Sequence, residues 1–377
     1  MEDVIKTLLL FLIGVHVLQS VLVFIGQFRM PKAIQFSSWP KITVVVAARN
    51  EEKNIARTLD SLVAIDYPHD KLEIIIGDGN SEDRTAEIIE AYAKKHPFVK
   101  LLRVDQNRPI KGKANALHQA AEIAKGDYIL ITDADCLVQP TWAKETVKHF
   151  TAGVGLVCGI TIPEAKGLFA SLQTLDWCYI LGTSSAVASL GYPIGGIGNN
   201  FNLRKEAYFE TGGYEKIPFS ITEDYTLFRA ISNSRWKIAF PLKQETYNST
   251  APMESLRELY SQKQRWTLGG LDASPLQSIM AMLIFLVHLV TLVSFAFLPV
   301  WMPLAALLVK SFGDFLVVSA TLLKLRKPKM LLTFPAFELY YYLYVLMVPF
   351  ILIFDRKVTW KGVSYKVTSG RGKKSHG

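Results

Sequence analysis

Long uncharged apolar runs stand at both ends of this chain, and a middle section of different rhythm lies between them. Thr7 to Gly26, TLLLFLIGVHVLQSVLVFIG, carries no charged residue and is about long enough to cross a hydrocarbon core of ~30 Å. No basic stretch precedes it and no small-residue cleavage site follows, so residues 1–28 are read as a retained anchor rather than a signal peptide. From Gln277 to Val309 the chain is again without charge, apart from any proton on His288. One helix of that length would run ~50 Å, too far for a single crossing, and Pro299 and Pro303 offer the break. Two spans are predicted, about 277–299 and 302–323, with a third apolar block from Leu331 to Phe354. They make a C-terminal membrane region over 276–354, followed by a basic, partly disordered tail over 355–377.

From Lys41 onward the apolar positions change period. ITVVVAA, LEIIIGD, VKLLRVD and DYILITDAD read as buried strands. Between the first two, Ile55, Leu59, Leu62 and Val63 recur at helical spacing, with Asn50 as the expected N-cap. SEDRTAEIIEAYAKKH and KANALHQAAEIAK are the next two helices. Strands alternating with helices of this length predict an α/β domain with a Rossmann-like, mostly parallel sheet, placed at 38–250.

Half of the 377 residues are hydrophobic, a share produced by the two ends of the chain. The formal charge of +9 suits contact with anionic lipid headgroups. Nucleic acid is not an expected partner, because the basic residues are scattered or juxtamembrane and no RNP-like or helix-turn-helix signature occurs. Cys136, Cys158 and Cys178 share no ligand-like spacing and imply no disulfide framework, in keeping with a reducing compartment. Glu2 and Asp3 precede the first span while Arg29, Lys32 and Lys41 follow it, which places the middle domain in the cytosol of a multi-pass inner-membrane protein. The basic turn at Lys324–Lys329 agrees, being two crossings later. The basic tail agrees only if the last apolar block is re-entrant, broken at Pro335 and Pro349; otherwise it violates the rule.

Open sheets of this kind bind ligands beyond the carboxyl ends of their strands. Polar residues gather there: Arg49, Asn50 and Glu51 after the first strand, Asp78 after the second, Asp133 and Asp135 after the fourth. Any one of these acids alone would be an ordinary solvated loop residue; together they read as a site. In an extended chain residues two apart project the same way, so Asp133 and Asp135 are expected side by side. Adjacent carboxylates repel. A hard divalent cation, Mg²⁺ or Mn²⁺, relieves that repulsion and completes its shell with water and phosphate oxygens, which implies a nucleotide-linked donor. No Walker lysine motif is present, and GGIGNN at Gly195–Asn200 fits neither the spacing nor the place of a dinucleotide fingerprint, which disfavours a P-loop kinase or an NAD enzyme.

In these motifs the chain resembles the family 2 glycosyltransferases, inverting enzymes with a GT-A fold, over about Lys41 to Trp266. It is similar to their membrane-bound members, both the polysaccharide-synthase-like and the ceramide-glucosyltransferase-like. VVVAARNEE resembles the first strand and turn, so Glu51 is implied to line the nucleotide pocket. DGNSEDRTAEII resembles the aspartate–glycine–serine–threonine block, and Asp78 matches the acid that reads the base; Gly79 and Asn80 stand where an aspartate and a glycine are common. KGKANALHQA resembles the donor-contacting stretch, with Lys113 the matching position, and DAD, Asp133 to Asp135, is the metal motif at the donor. ITEDYTL resembles the threonine–glutamate–aspartate motif, which makes Asp224 the implied catalytic base. Alone, Glu223 and Asp224 would be ordinary helix N-terminal charge. GNNFNLRKEAY resembles family sequence between these motifs, and Asn199 and Asn200 are candidates for the acceptor side. QKQRW fits the glutamine–x–x–arginine–tryptophan signature, placing Gln262, Arg265 and Trp266 on one helix face in an interfacial region, 251–275. Arg265 is implied to face the leaving diphosphate and Trp266 the sugar or acceptor.

The resemblance implies a UDP- or GDP-sugar donor and a single in-line displacement. No triad or activated cysteine calls for a covalent intermediate. A site followed directly by an interfacial helix and spans points to a lipid-linked or membrane-proximal glycan acceptor. The alternative is a processive polysaccharide synthase, for which three C-terminal segments are few unless partner subunits supply more. A non-catalytic nucleotide-binding scaffold would predict decay at the charged positions, whereas every motif acid is intact. VTWKGVSYK resembles a tryptophan–lysine–glycine–arginine ending with Val363 in place of the arginine. Lys310 and Asp314, spaced i, i+4 within a predicted span, read first as a self-neutralising pair and second as a contact for a headgroup or glycan.

Overall fold

Helix α1 (Glu2–Gln27) opens the chain, followed by β1 (Ile42–Ala48), α2 (Ile55–Val63), β2 (Leu72–Asp78), α3 (Thr85–Lys95), β3 (Val99–Arg103), α4 (Gly112–Ile123) and β4 (Tyr128–Asp133). Next come β5 (Cys136–Leu137), α5 (Trp142–Val147), β6 (Val154–Cys158), β7 (Thr161–Pro163), α6 (Gly167–Ser189) and β8 (Phe201–Arg204). They are followed by α7 (Lys205–Glu210), α8 (Gly213–Lys216), α9 (Glu223–Ser232), β9 (Lys237–Ala239) and β10 (Asn248–Thr250). The C-terminal part holds α10 (Leu256–Gly269), α11 (Pro275–Ser294), α12 (Trp301–Lys324), α13 (Phe334–Phe354), β11 (Lys357–Trp360), β12 (Val363–Ser369) and β13 (Arg371–Lys374). This computed structural model describes residues 1–218, 220–355, 357–360, 363–369 and 371–374. They divide into two units, one of 1–29, 165–194 and 252–377, the other of 30–164 and 195–251.

The second unit is built on a seven-stranded sheet in the order β3-β2-β1-β4-β8-β6-β9. β1 pairs in parallel with β2 and β4, and β2 with β3, as the alternation of strands and helices predicts. β8 runs antiparallel to both β4 and β6, which makes the sheet mixed beyond the fourth strand. The parallel strands lie between helices, so β1 is apolar on both faces, and Val44, Val45 and Val46 have no exposed surface. Leu59 and Leu62 of α2, Ile89 of α3 and Trp142 of α5 share one core with Val44 and Val46. Each such side chain contributes roughly 1.5–3 kcal/mol on burial. Gly126, just before β4, has no room for a side chain: a Cβ there would lie 2.4 Å from the Thr43 backbone nitrogen.

Asn50 is not the cap of α2. The helix begins at Ile55 after Asn54, and Asn50 takes a left-handed φ of 54°, its side-chain oxygen accepting from the Glu82 N–H at 2.8 Å. Its short polar side chain tolerates that conformation and finds its partner in the next loop rather than in its own helix.

Among the described residues the first unit contains four helices long and apolar enough to cross a membrane: α1, α11, α12 and the stretch Pro328–Phe354 that contains α13. Helix α6 packs with them, although 165–194 falls inside the range expected for the catalytic domain. Small residues let these helices approach closely: a Cβ on Gly182 would meet Thr321 and Gln27, and one on Gly313 would meet Ser20 and His16. Gln27 donates to the Val317 carbonyl and to Thr321 Oγ1 at 3.1 and 2.9 Å. Lys310 pairs with Asp314 at 2.8 Å and with Glu338 at 3.0 Å, while the Tyr179 hydroxyl donates to Asp314 at 3.0 Å. The pair is thus one part of a network joining α12 to α6 and α13.

The far end of α13 turns back to α10. The Tyr260 hydroxyl donates to the Asp355 carboxylate at 2.7 Å and Gln264 to the Asp355 carbonyl at 3.1 Å. Beyond it, the tail expected to be partly disordered carries β11, β12 and β13 in antiparallel register. Val363, Tyr365 and Val367 alternate at period two, a strand signal masked by the polar composition around them.

Candidate active site

Parallel strands end on one edge, and register brings their acids together there. Ala48 at the end of β1 pairs with Asp78, and Ala47 with Asp133. The loops after β1 and β2 are stitched to each other. The Asn50 N–H donates to Ser81 Oγ at 3.0 Å, the Glu51 N–H to Thr85 Oγ1 at 2.8 Å, and the Glu52 N–H to Asp83 at 3.1 Å. Asp78 is buried; its Oδ1 accepts from the Ser81 N–H and hydroxyl, and its Oδ2 faces Arg103 at 3.3 Å. Asn54 donates to Glu51 Oε2 at 3.0 Å.

Asp133 is the last residue of β4, and Asp135 lies beyond it in a turn, so the alternation of an extended strand does not govern the pair. Even so, the two carboxylates act on each other. Burial first, then the charges of Asp133 and Glu51, push the Asp135 carboxyl up to about 6. Lys113, near the start of α4, ion-pairs with Asp133 at 2.5 Å and lies 3.6 Å from Glu223. Burial favours its neutral form, but Asp133, Glu223 and Asp224 outweigh that and hold the ammonium well above its usual range. Glu223 is therefore a member of the site, one that its sequence context alone presents as helix N-terminal charge.

The donor set fits a divalent ion. Asp135 stays strained toward its neutral form despite Lys113, as expected of a carboxylate group short of positive charge. Among the described residues no three His, Cys, Asp or Glu side chains form a closed metal cage.

Asp224 sits in the first turn of α9, where the helix dipole favours its negative charge. Its Oδ2 accepts from the Gly198 N–H at 2.7 Å and its Oδ1 from the Tyr225 N–H at 2.8 Å. Gly198 belongs to the GGIGNN stretch, and a Cβ there would lie 2.9 Å from Asp224 Oδ2. Asn200 is spent on the fold. It donates to the Ile160 and Thr246 carbonyls and accepts from Trp142 and Asn202. The Asn199 carbonyl accepts from Thr132 and Asn248.

Gln262, Arg265 and Trp266 lie on α10, in the first unit. Ser255 caps this helix by accepting from the Glu258 N–H at 3.2 Å. Gln262 Oε1 is buried without a hydrogen-bond partner among the described residues. The Trp266 ring packs 5.2 Å from that of Trp177. In the tail motif Val363 belongs to β12, whereas Lys361 and Gly362 lie outside the described residues.

The fold is that of the GT-A glycosyltransferases. The chain superposes on a mannosyltransferase from Pyrobaculum calidifontis, solved with GDP-mannose and Mn²⁺, with a TM-score of 0.57 over 93 % of this chain and 99 % of that one at 20 % identity. The sequence profile of glycosyl transferase family 21 matches residues 7–373, and the chain belongs to that family. It is 30 % identical over 244 residues to a probable glycosyltransferase, YdaM, of Bacillus subtilis, covering 61 % of this chain and 55 % of the relative. It is 31 % identical over 238 residues to the poly-beta-1,6-N-acetyl-D-glucosamine synthase of Staphylococcus aureus, covering 61 % and 54 %. The chain thus spans about half the length of the curated relatives it matches.

Proposed function

We propose that the protein is a multi-pass inner-membrane enzyme with a cytosolic catalytic unit. It transfers a sugar, with inversion, from a UDP- or GDP-sugar to a hydroxyl of a lipid-linked or membrane-proximal glycan. The observation that carries this reading is the assembly of Glu51, Asp78, Asp133 and Asp135 at one sheet edge, with Lys113 reaching from Asp133 to Glu223, beside the Asp224 base. Glu51 and Asp78 hold the nucleoside, and Lys113 the diphosphate.

Asp224 takes the proton of the acceptor hydroxyl. The two N–H groups bound to its oxygens fix the carboxylate, so its remaining lone pairs face the acceptor in one orientation. As the oxygen attacks the anomeric carbon from the opposite side, the bond from that carbon to the diphosphate oxygen breaks and the nucleoside diphosphate departs. Asp133 and Asp135 would hold a Mg²⁺ or Mn²⁺ ion, which when bound neutralises charge on the leaving diphosphate. By the resemblance of QKQRW to the family signature, Arg265 is assigned to the leaving diphosphate and Gln262 to the substrate. Trp266 completes the signature. The polysaccharide synthases among the relatives favour a second reading, a processive synthase working with partner subunits, which product length distinguishes.

Asp224→Asn in lipid-reconstituted protein is the test. Transfer is expected to fall about 10²–10⁴-fold while donor binding persists. Near-normal release of UDP or GDP across a nucleotide-sugar panel with Mn²⁺ would remove Asp224 as the base.

A further inference from the structure

The residue of QKQRW most deeply built into the fold is its second. Lys263 is 1 % exposed, and its ammonium ion-pairs with Asp176 of α6, which is 0 % exposed. The same ammonium lies 4.7 Å from the centroid of the Trp266 ring and 4.6 Å from that of Tyr344 on α13. Trp177, next to Asp176, packs against Trp266 from α6. A single cation thus joins α6, α10 and α13, held by a carboxylate and by two aromatic faces.

Packing alone does not call for such an arrangement. Taking two charges out of water is costly, and apolar side chains of similar volume hold helices together equally well. A buried ion pair differs from apolar packing in direction, since only one rotation of the helix brings ammonium and carboxylate together. Lys263 stands next to Gln262 and two residues before Arg265, so the rotation that satisfies Lys263 sets the bearing of both. We propose that Lys263 and Asp176 are a positioning pair that fixes the rotation of α10 and thereby the aim of Gln262 and Arg265. The effect on rate rests on the transfer reaction proposed above; the effect on helix position does not.

The test uses the full chain in lipid nanodiscs, with nitroxides on Ser261→Cys of α10 and Leu168→Cys of α6, both exposed positions. The native cysteines are buried and leave the background low. Lys263→Met alone strands a buried carboxylate and is expected to fold poorly, so the decisive protein carries Lys263→Met together with Asp176→Leu. It is expected to keep its yield and unfolding midpoint while the distance distribution between the labels broadens. With Mn²⁺ and the UDP- and GDP-sugar panel, kcat is expected to fall about 10–100-fold and the donor KM to change less than about threefold. A double variant with the parent's narrow distribution and kcat would overturn the proposal, because a packing role leaves both unmoved. If the parent transfers no sugar from any donor, the transfer reading fails, and the label distances still decide whether the pair positions α10.

Discussion

Asp224 has little freedom, because Gly198 presses on it as well as binding it. In Gly198→Ala the new methyl would crowd Asp224 Cβ and Oδ2, both 2.9 Å away, and turn the proposed base from its orientation. Transfer is expected to drop by about 10²-fold or more with donor affinity nearly unchanged, checked by initial rates beside calorimetry of donor binding. Lys113 makes the opposite kind of case. It competes with any cation for Asp133, so Lys113→Met should tighten Mn²⁺ binding by about fivefold or more while slowing transfer, which titration calorimetry and product release would show together. The acids of this edge were legible because strand periodicity says where each strand ends, and ligands gather at those ends. Glu223 was legible only as the middle of the threonine–glutamate–aspartate motif, not as a neighbour of Lys113, since that partner lies far upstream on α4. Asp135 was legible as a charged neighbour of Asp133, but not by strand alternation: β4 ends at Asp133, and Asp135 stands in the turn that follows.

At the scale of elements, the parallel core followed from continuous apolar strands alternating with helices. The direction of β8 did not, because period-two patterning is the same in a parallel and an antiparallel strand. Nor did the place of α6, whose only charged residue is Asp176 and whose apolar surface suits a protein core as well as a membrane bundle. Away from the acid edge, Glu73 of β2 ties the sheet to the entry of β4. It accepts from Thr43 and the Lys125 N–H and pairs with Lys100 at 2.6 Å. Burial disfavours its charge, but Lys100, the Lys125 N–H and Thr43 together prevail and hold the carboxyl below its usual range. A depressed carboxyl stabilises the fold above the ordinary glutamate range and loses that contribution as pH falls through its folded value. Glu73→Gln should therefore cost about 2 kcal/mol near neutrality and remove part of the acid sensitivity below pH ~4, seen as unfolding midpoints against pH.

For the molecule as a whole, charge placement along the sequence left the side of the tail open. The two hydrogen bonds from α10 to Asp355 bring the end of α13 back to the helix that precedes α11, which favours the re-entrant reading of the last apolar block. Cysteines introduced at Ser261 and at Ser364 are expected to react with an impermeant maleimide from the same side of sealed vesicles; labelling from opposite sides would mean a full third crossing. Helix α10 also ends at Gly269, and Ser274 caps α11 with a reciprocal Gln277 bond, so only residues 270–274 separate the QKQRW helix from a bilayer span. So short a coupling transmits tilt. Where acyl chains are shorter or longer than the span, α11 must lean or straighten, and α10 is carried with it. Turnover should accordingly pass through an optimum across a series of lipids of increasing chain length, making membrane thickness a control on the rate of the proposed transfer.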